Sequence, residues 1–228
     1  MRTLAHQVGQ QPYGEDLVLL NNSRDDSNVT QALNCYQAFP GISLSGHDSG
    51  RKELNSNMLT GSLRLTFEKL SVEHAEGLYQ ALCNWPTYEH LGERPPQHVS
   101  KLAARFSRMA AGPPPDRVDE RWINYAVRLR ADGSLIGRLE ATLVGCRAEV
   151  AYVFGPKTWG QGFATEAMSA FQCHLHQTEG VAEFWATAIP QNARSIRLLQ
   201  RLGYTQISND WPPLLSYGAG DLVFVLHP

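Results

Sequence analysis

Apolar and polar positions follow two regimes along this chain, irregular before residue 59 and periodic from residue 62 onward. Ser62 to Phe67 alternates Leu63, Leu65 and Phe67 against Ser62, Arg64 and Thr66, which predicts a half-buried strand. Ser71 offers a helix N-cap, with Glu73 and Glu76 near the positive end of the dipole. Ala75, Leu78, Tyr79 and Leu82 then form an apolar stripe, and Trp85-Pro86 is expected to end that helix. A second helix is predicted from about Gln97 to Ala111, on Val99, Leu102, Ala103, Phe106 and Met109, stopped by Gly112-Pro113-Pro114-Pro115. Three strands follow, Trp122 to Arg130, Leu135 to Val144 and Ala148 to Phe154, with links short enough to force antiparallel hairpins. The order then becomes helix (Gly160 to His176), strand (Ala182 to Ala188), helix (Asn192 to Leu202) and strands (Tyr204 to Ile207, Leu222 to Leu226). Antiparallel strands followed by a β-α-β crossover predict an α/β fold on a mixed sheet.

Residues 1–58 are rich in Asn, Ser, Gln, Gly and Asp, with apolar clusters only at Leu17 to Leu20 and, more weakly, Cys35 to Leu44. They are expected to be disordered or to form an arm, leaving residues 59–228 as the folded domain. An arm with one apolar anchor either covers a groove or pairs with another subunit, as in a homodimer. A chain of 228 residues suffices for one core plus such an extension. A net charge of −2 and a pI near 6.4 recommend neither a nucleic-acid nor a membrane-surface partner. No apolar run approaches the roughly 18 residues of a membrane span, and the opening residues lack the apolar stretch of a secretory signal. Cys35, Cys83, Cys146 and Cys173 form no C-x-x-C pair and read as reduced, mostly buried residues of a cytoplasmic protein, not as metal ligands.

The chemistry concentrates in Phe154-Gly155-Pro156-Lys157-Thr158-Trp159-Gly160-Gln161-Gly162-Phe163-Ala164-Thr165-Glu166-Ala167. A strand ends, a short loop crosses, and a helix opens behind glycines at i and i+2. Glycines let backbone approach a ligand, and the first-turn N–H groups lack intrahelical partners. With the helix dipole, such donors suit a phosphate or pyrophosphate. The same glycines also suit a plain tight turn, and the loop alone leaves both readings open. A P-loop requires Gly-Lys-Ser/Thr at the helix start, whereas Gly162 precedes Phe163. A dinucleotide fingerprint requires G-x-G-x-x-G, whereas this chain has Thr165 in the last place. Glu183 stands near the distance of a ribose-binding acid, but hairpin strands precede the loop and about 45 residues follow Glu183, so a Rossmann half does not fit.

One strand later comes Ile189-Pro190-Gln191-Asn192-Ala193-Arg194-Ser195-Ile196-Arg197-Leu198-Leu199-Gln200-Arg201-Leu202-Gly203-Tyr204. Asn192 stands as the cap, with Ser195 at i+3 on the same face. Leu198, Leu199 and Leu202 supply a buried stripe, and Gly203 closes the helix. Ordinary capping accounts for Asn192 and Ser195 as well as a functional role does.

In this order and separation, the two segments resemble the GCN5-related N-acetyltransferases (GNAT), and within them the ribosomal-protein N-terminal acetyltransferases. That branch's loop reads W-G-x-G-(Y/F)-A-T-E-A and its later helix N-x-x-S-x-(R/K)-x-x-(E/Q)-(K/R)-L-G-(F/Y). Trp159 to Ala167 and Asn192 to Tyr204 match nearly position for position. Ser62-Leu63-Arg64-Leu65 and the helix after it resemble the family's opening, so the resemblance covers about Leu59 to Pro228.

The resemblance implies a GNAT-like fold whose second half is an acetyl-CoA-binding β-α-β-α-β unit. It implies transfer of acetyl from acetyl-CoA, without a metal, to a primary amine by direct attack in a ternary complex. The acceptor would be a peptide N-terminus or a small-molecule amine. The strands on either side of the loop would splay, and the pantetheine arm would meet backbone groups of Tyr152 and Val153. The pyrophosphate would meet N–H groups of Trp159, Gly160, Gln161, Gly162, Phe163, Ala164 and Thr165. Asn192 would bond the arm or order a water, and Ser195 would lie near the sulfur.

Such a transfer needs a neutral amine, an oriented thioester and help for the departing thiolate. An α-amine of pKa about 8 costs only about 1.4 kcal/mol to deprotonate at pH 7, against roughly 4.6 for lysine. Glu149, on the strand entering the loop, is the candidate base, ahead of Glu140 and Glu183; a plain surface carboxylate is the alternative reading. Many relatives carry a tyrosine four residues after the Ser195 position to protonate the thiolate; this chain has Leu199, so Ser195 is the nearest substitute. That departure leaves a catalytically weak acyl-CoA-binding sensor as the alternative function. His174 and His176, at i and i+2 on a helix, face different ways and make no metal pair. Trp85, Tyr88, Glu89, His90 and the stretch Trp211 to Asp221 fall where the family's acceptor groove is bordered; core packing is the alternative reading for the aromatics.

Overall fold

Seven strands with helices on both faces make one mixed sheet in the computed structural model, which describes residues 59, 61–209, 212–213 and 216–228. The arm expected over residues 1–58 lies outside them. In chain order come β1 (Leu65–Lys69), α1 (Ala75–Leu82), α2 (Trp85–Tyr88), α3 (Val99–Ala111), β2 (Glu120–Leu129), β3 (Leu135–Val144) and β4 (Arg147–Phe154). They are followed by α4 (Phe163–Glu179), β5 (Glu183–Ala188), α5 (Ala193–Arg201), β6 (Thr205–Ile207) and β7 (Leu222–Leu226). The sheet order is β1-β2-β3-β4-β5-β7-β6. Among the described strands only β4 and β5 run parallel, joined by the α4 crossover, so the mixed α/β sheet predicted from the pattern is the one observed.

The β3–β4 hairpin turns on two residues, Gly145-Cys146, and Gly145 adopts φ 57°, the left-handed conformation that matches strand twist. In the β2–β3 link, the Asp132 carboxylate accepts from the Ser134 N–H (2.9 Å) and hydroxyl (2.7 Å). Strand alternation then sorts the side chains. Ala148, Val150 and Phe154 of β4 pack with Met168 and Phe171 of α4. Val153 packs on the opposite face with Leu78 and Leu82 of α1 and with Leu102 and Phe106 of α3. Each such buried Val, Leu, Met or Phe side chain contributes about 1.5–3 kcal/mol.

The structure corrects four boundaries. Leu63 is 72% exposed, because the chain folds back at Ser62, whose N–H donates to the Leu65 carbonyl (2.9 Å), so β1 starts three residues late. The turn after Ser71 is 3-10 over Val72–His74, and the α-helix starts at Ala75. Trp85-Pro86 begins the short helix α2 instead of ending α1; Asn84 caps it, accepting from the Thr87 N–H (3.2 Å), and proline suits a first turn that needs no donor. Helix α4 starts at Phe163, since Gly160 and Gly162 hold left-handed φ values of 76° and 80°. Of the described cysteines, Cys173 is buried, Cys83 half-buried and Cys146 exposed, since a two-residue turn has no interior to cover it.

Candidate active site

The site grows from a fork in the sheet. Strands β4 and β5 pair only at Arg147↔Glu183, Ala148↔Phe184 and Glu149↔Trp185, and then part. Each is held along its length by its outer neighbour, β3 for β4 and β7 for β5, so the twist of the two halves draws them apart. Which backbone groups face the fork follows from antiparallel alternation. Gly155 N–H donates to the Ile136 carbonyl (3.0 Å) on the β3 side, and the Cys146 carbonyl accepts from Ala182 N–H (2.8 Å) on the β5 side. In that register the backbone groups of Val150 and Tyr152 face the fork, while those of Val153 belong to the β3 ladder opposite Arg138. The expectation that Val153 turns its backbone to the fork is therefore corrected; the residues that do so are Val150 and Tyr152.

At the open end of the fork the chain passes through a 3-10 turn, Pro156–Thr158. Trp159 Nε1 donates to the Phe154 carbonyl (2.8 Å), folding the loop back on the strand end. Gln161 Nε2 donates to the Lys157 carbonyl (2.8 Å). Beyond Gly162, the first intrahelical bond runs from Glu166 N–H to the Gly162 carbonyl (3.0 Å), so the N–H groups of Phe163, Ala164 and Thr165 have no acceptor inside the helix. A methyl group placed on Gly160 would meet nothing within 4 Å, and one on Gly162 only Arg64 Nη2 at 3.5 Å, so space lies open in front of the donors. Two arginines flank it. Arg194 stacks on Trp159, 3.5 Å from the ring centroid, and Arg64 lies 4.3 Å over Phe163. Arg64 also donates to the Gln161 carbonyl (3.0 Å) and to Glu166 Oε2 (2.6 Å). Burial raises the Glu166 carboxyl, but the Arg64 N–H, the Ser62 hydroxyl and the Arg64 guanidinium outweigh it and hold it below the usual range. An open set of helix N-terminal donors between two cations can hold a pyrophosphate.

On the α4–α5 side of the fork, Asn192 caps α5, its Oδ1 accepting from Ser195 N–H (3.1 Å). The Ser195 hydroxyl lies 2.8 Å from the Tyr152 phenol oxygen across the fork. Burial pushes the Tyr152 phenol up to about 12, against the opposing pull of the Ser195 hydrogen bond. Leu199 is wholly buried in the core and presents nothing to the fork.

The other side of the fork carries the carboxylates. Glu149 sits at the last paired position, and its Oε1 accepts from Ser216 N–H (3.0 Å) and from the Ser216 hydroxyl, in the segment leading to β7. Glu140 is paired with Arg138, and Glu183 with Arg147 (2.9 Å), so both are tied to cations and suited less to proton abstraction. Burial lowers the Arg138 guanidinium to about 10 with help from Arg105, which leaves it charged at neutral pH. Ala151 is exposed in the middle of the sheet, between Glu149 and the buried Val153, so this face opens to solvent beside the fork. Next to it lies a cavity of about 690 Å³ lined by Trp185, Glu183, Ile207, Pro212, Pro213 and Val225, among others. Trp85 is 62% exposed, Tyr88 is buried with its phenol raised to about 12, and His90 approaches Glu89 (3.9 Å). Trp211 lies outside the described residues. His174 packs edge-on to Tyr125, and His176 Nδ1 lies 2.8 Å from the Val181 carbonyl, so neither faces the other.

The structure thus brings Tyr152 from β4 and Asn192 and Ser195 from the start of α5 together on the α4–α5 face of the sheet, the glycine loop to the mouth of the fork and Glu149 to the opposite face. Sequence reasoning missed Arg64, Arg194, Ser216 and the Tyr152 side chain. For Arg194 a signal existed, since it lies within the Asn192 to Ser195 motif; for Ser216 the stretch Trp211 to Asp221 marked the segment, but nothing in it singled out the serine.

Against known proteins, the acetyltransferase (GNAT) domain matches residues 64–205. By sequence, the uncharacterized N-acetyltransferase YoaA of Bacillus subtilis (strain 168) is 23% identical over 144 residues, covering 62% of this chain and 79% of YoaA. A solved GNAT-family acetyltransferase from Bacillus anthracis is similar with a TM-score of 0.61 at 16% identity, over 75% of this chain and 98% of its own. The Salmonella typhimurium acetyltransferase that modifies the N-terminal serine of 50S ribosomal subunit protein L7/L12 is similar with a TM-score of 0.60 at 13% identity, over 75% and 98%. At these identities the structural likenesses speak for the fold.

Proposed function

The chain belongs to the GNAT acetyltransferases, which draw the acetyl group from acetyl-CoA, and from that premise we propose that it acetylates a primary amine by direct attack in a ternary complex. The acceptor is the N-terminal amine of a peptide or a small-molecule amine. The parting of β4 from β5 beyond Glu149↔Trp185 is the observation that carries this reading, because it leaves a slot between the glycine loop and a solvent-open carboxylate. In this reading the pyrophosphate sits on the N–H groups of the loop and of Phe163, Ala164 and Thr165. The pantetheine arm runs down the fork along Val150 and Tyr152, and the amine arrives over Ala151.

The amine nitrogen attacks the thioester carbonyl carbon. Its extra proton passes to Glu149, directly or through water. The C–N bond forms, the C–S bond breaks, and the electron pair leaves on the CoA sulfur beside Ser195. An α-amine suits one carboxylate, since its deprotonation at pH 7 costs about 1.4 kcal/mol where lysine needs roughly 4.6. The Salmonella relative's N-terminal serine substrate supports the same choice.

The test is CoA-thiol release from acetyl-CoA with a panel of amines that includes short peptides with free and blocked N-termini. Turnover with free α-amines above that with blocked peptides supports the reading. Tight acetyl-CoA binding with no turnover on any amine would favour a sensor instead.

A further inference from the structure

We propose that Tyr152 is a positioning residue for acetyl transfer, its phenol donating to Ser195 Oγ and so turning the Ser195 proton toward the thioester sulfur. The inference rests on the reading above, in which the sulfur comes to lie beside Ser195. The two oxygens are 2.8 Å apart, and the residues come from opposite sides of the fork, β4 and the first turn of α5.

A serine hydroxyl has one proton and two lone pairs, and it rotates to suit its neighbours. The Ser195 backbone is already held, through its N–H, by Asn192 Oδ1 at 3.1 Å, but nothing in that bond orients the hydroxyl proton. A phenol is the more acidic partner of a phenol–alcohol pair, so the pair is best ordered with Tyr152 donating. Ser195 then keeps its own proton for a third atom. One turn further along α5, Leu199 is wholly buried and supplies no hydroxyl that competes for this place.

The chemistry also says what Tyr152 does not do. Its phenol, raised to about 12 by burial, stays protonated well above the pH at which a thiol of pKa about 8.5 ionises. Full transfer of its proton to the thiolate is uphill. The gain comes from hydrogen bonding as charge grows: the C–S bond breaks, the electron pair settles on sulfur, Ser195 O–H donates to it, and Tyr152 O–H donates to Ser195. Both hydroxyls retain their protons, and the thiolate takes its proton from water on release. Only the transition state and the product thiolate carry that charge, so the effect belongs in kcat and not in acetyl-CoA affinity.

Steady-state kinetics of full-length Tyr152→Phe, Ser195→Ala and the double variant test this, together with acetyl-CoA titration of each. Ser195→Ala is expected to lose about tenfold in kcat, the loss of one charge-assisted hydrogen bond, and Tyr152→Phe, which leaves that hydroxyl unoriented, a comparable amount, each with acetyl-CoA Kd within about twofold of wild type. The double variant is expected to be no slower than the slower single variant, because the two hydroxyls act as one unit. Losses that multiply in the double variant overturn the proposal, as does wild-type kcat in Tyr152→Phe when Ser195→Ala is slow. Wild-type kcat in Ser195→Ala overturns the underlying placement of the sulfur as well. Should Tyr152→Phe fail to fold, 3-fluorotyrosine at position 152 keeps the shape with a more acidic donor. It is expected to hold or raise kcat, and a fall in kcat overturns the proposal.

Discussion

At the mouth of the fork, the proposed cofactor seat is made of backbone: the first N–H groups of α4, two left-handed glycines, and the fork-facing groups of Val150 and Tyr152. Across the sheet, the proposed acceptor side is made of side chains brought from separate segments. Glu149 comes from β4, Ser216 from the stretch before β7, Trp185 from β5, and the Arg138–Glu140 pair from β3. A backbone site can be damaged only where a side chain intrudes or a glycine is lost. A side-chain site can be retuned one residue at a time. In the proposed reading, the fold therefore commits the chain to its acyl donor, and the choice of acceptor rests with individual side chains.

The largest blow to the backbone side is Gly162→Val. A β-branched residue at φ 80° is strained, and its side chain enters the open space before the helix donors. Strain and lost phosphate contacts together are expected to weaken acetyl-CoA binding about 10³-fold by calorimetry. Unchanged affinity in a folded variant would remove the pyrophosphate from this loop. On the side-chain side, Glu149→Gln should lower kcat/KM for the acceptor about 10²-fold and leave acetyl-CoA affinity alone. An equal loss with acetyl-CoA affinity also reduced would erase the division between the two sides.

How much of this was legible depended on whether a feature was contiguous. The glycine loop and the Asn192 to Ser195 turn are each local, so both motifs could be read from spacing, although left-handed Gly160 and Gly162 move the start of α4 to Phe163. The Glu149–Ser216 contact joins residues 67 apart, Tyr152–Ser195 joins residues 43 apart, and Arg64–Glu166 joins residues 102 apart. No period in the chain reports such pairs. Choosing between Tyr152 and Val153 required the β3–β4 register, which the two-residue turn at Gly145-Cys146 fixes and which a one-residue slip would reverse. Trp85-Pro86 was read as a stop because proline breaks a helix interior, whereas Asn84 before it marks a start.

Smaller effects sharpen the contrast further. Ser216→Ala frees one oxygen of Glu149 from its hydroxyl donor and should change acceptor KM severalfold in either direction, with acetyl-CoA binding unaltered. A change in acetyl-CoA affinity there would place Ser216 on the wrong side of the sheet.

The smallest effect concerns the scaffold under the loop. Glu166 ties the start of α4 to Arg64 and Ser62, and its carboxyl titrates below the usual range in the folded protein. A depressed carboxyl stabilises above the unfolded-state pKa, and that contribution fades as pH falls through the folded value. Glu166→Gln is expected to melt ~2–4 °C lower at pH 7, the shift that about 1 kcal/mol produces in a domain of this size. The gap should close as pH falls through the wild-type carboxyl's titration, and a constant gap at acid pH would show that charge is not its source.

The central claim is that acetyl-CoA threads the β4–β5 fork with its pyrophosphate at the start of α4. A crystal structure with acetyl-CoA tests it most directly. The pyrophosphate oxygens are expected within hydrogen-bond distance of N–H groups between Trp159 and Thr165. The pantetheine amides are expected against Val150 and Tyr152, and the sulfur beside Ser195. Acetyl-CoA bound outside the fork, or within it but reversed so that its phosphates meet Glu149, would contradict it.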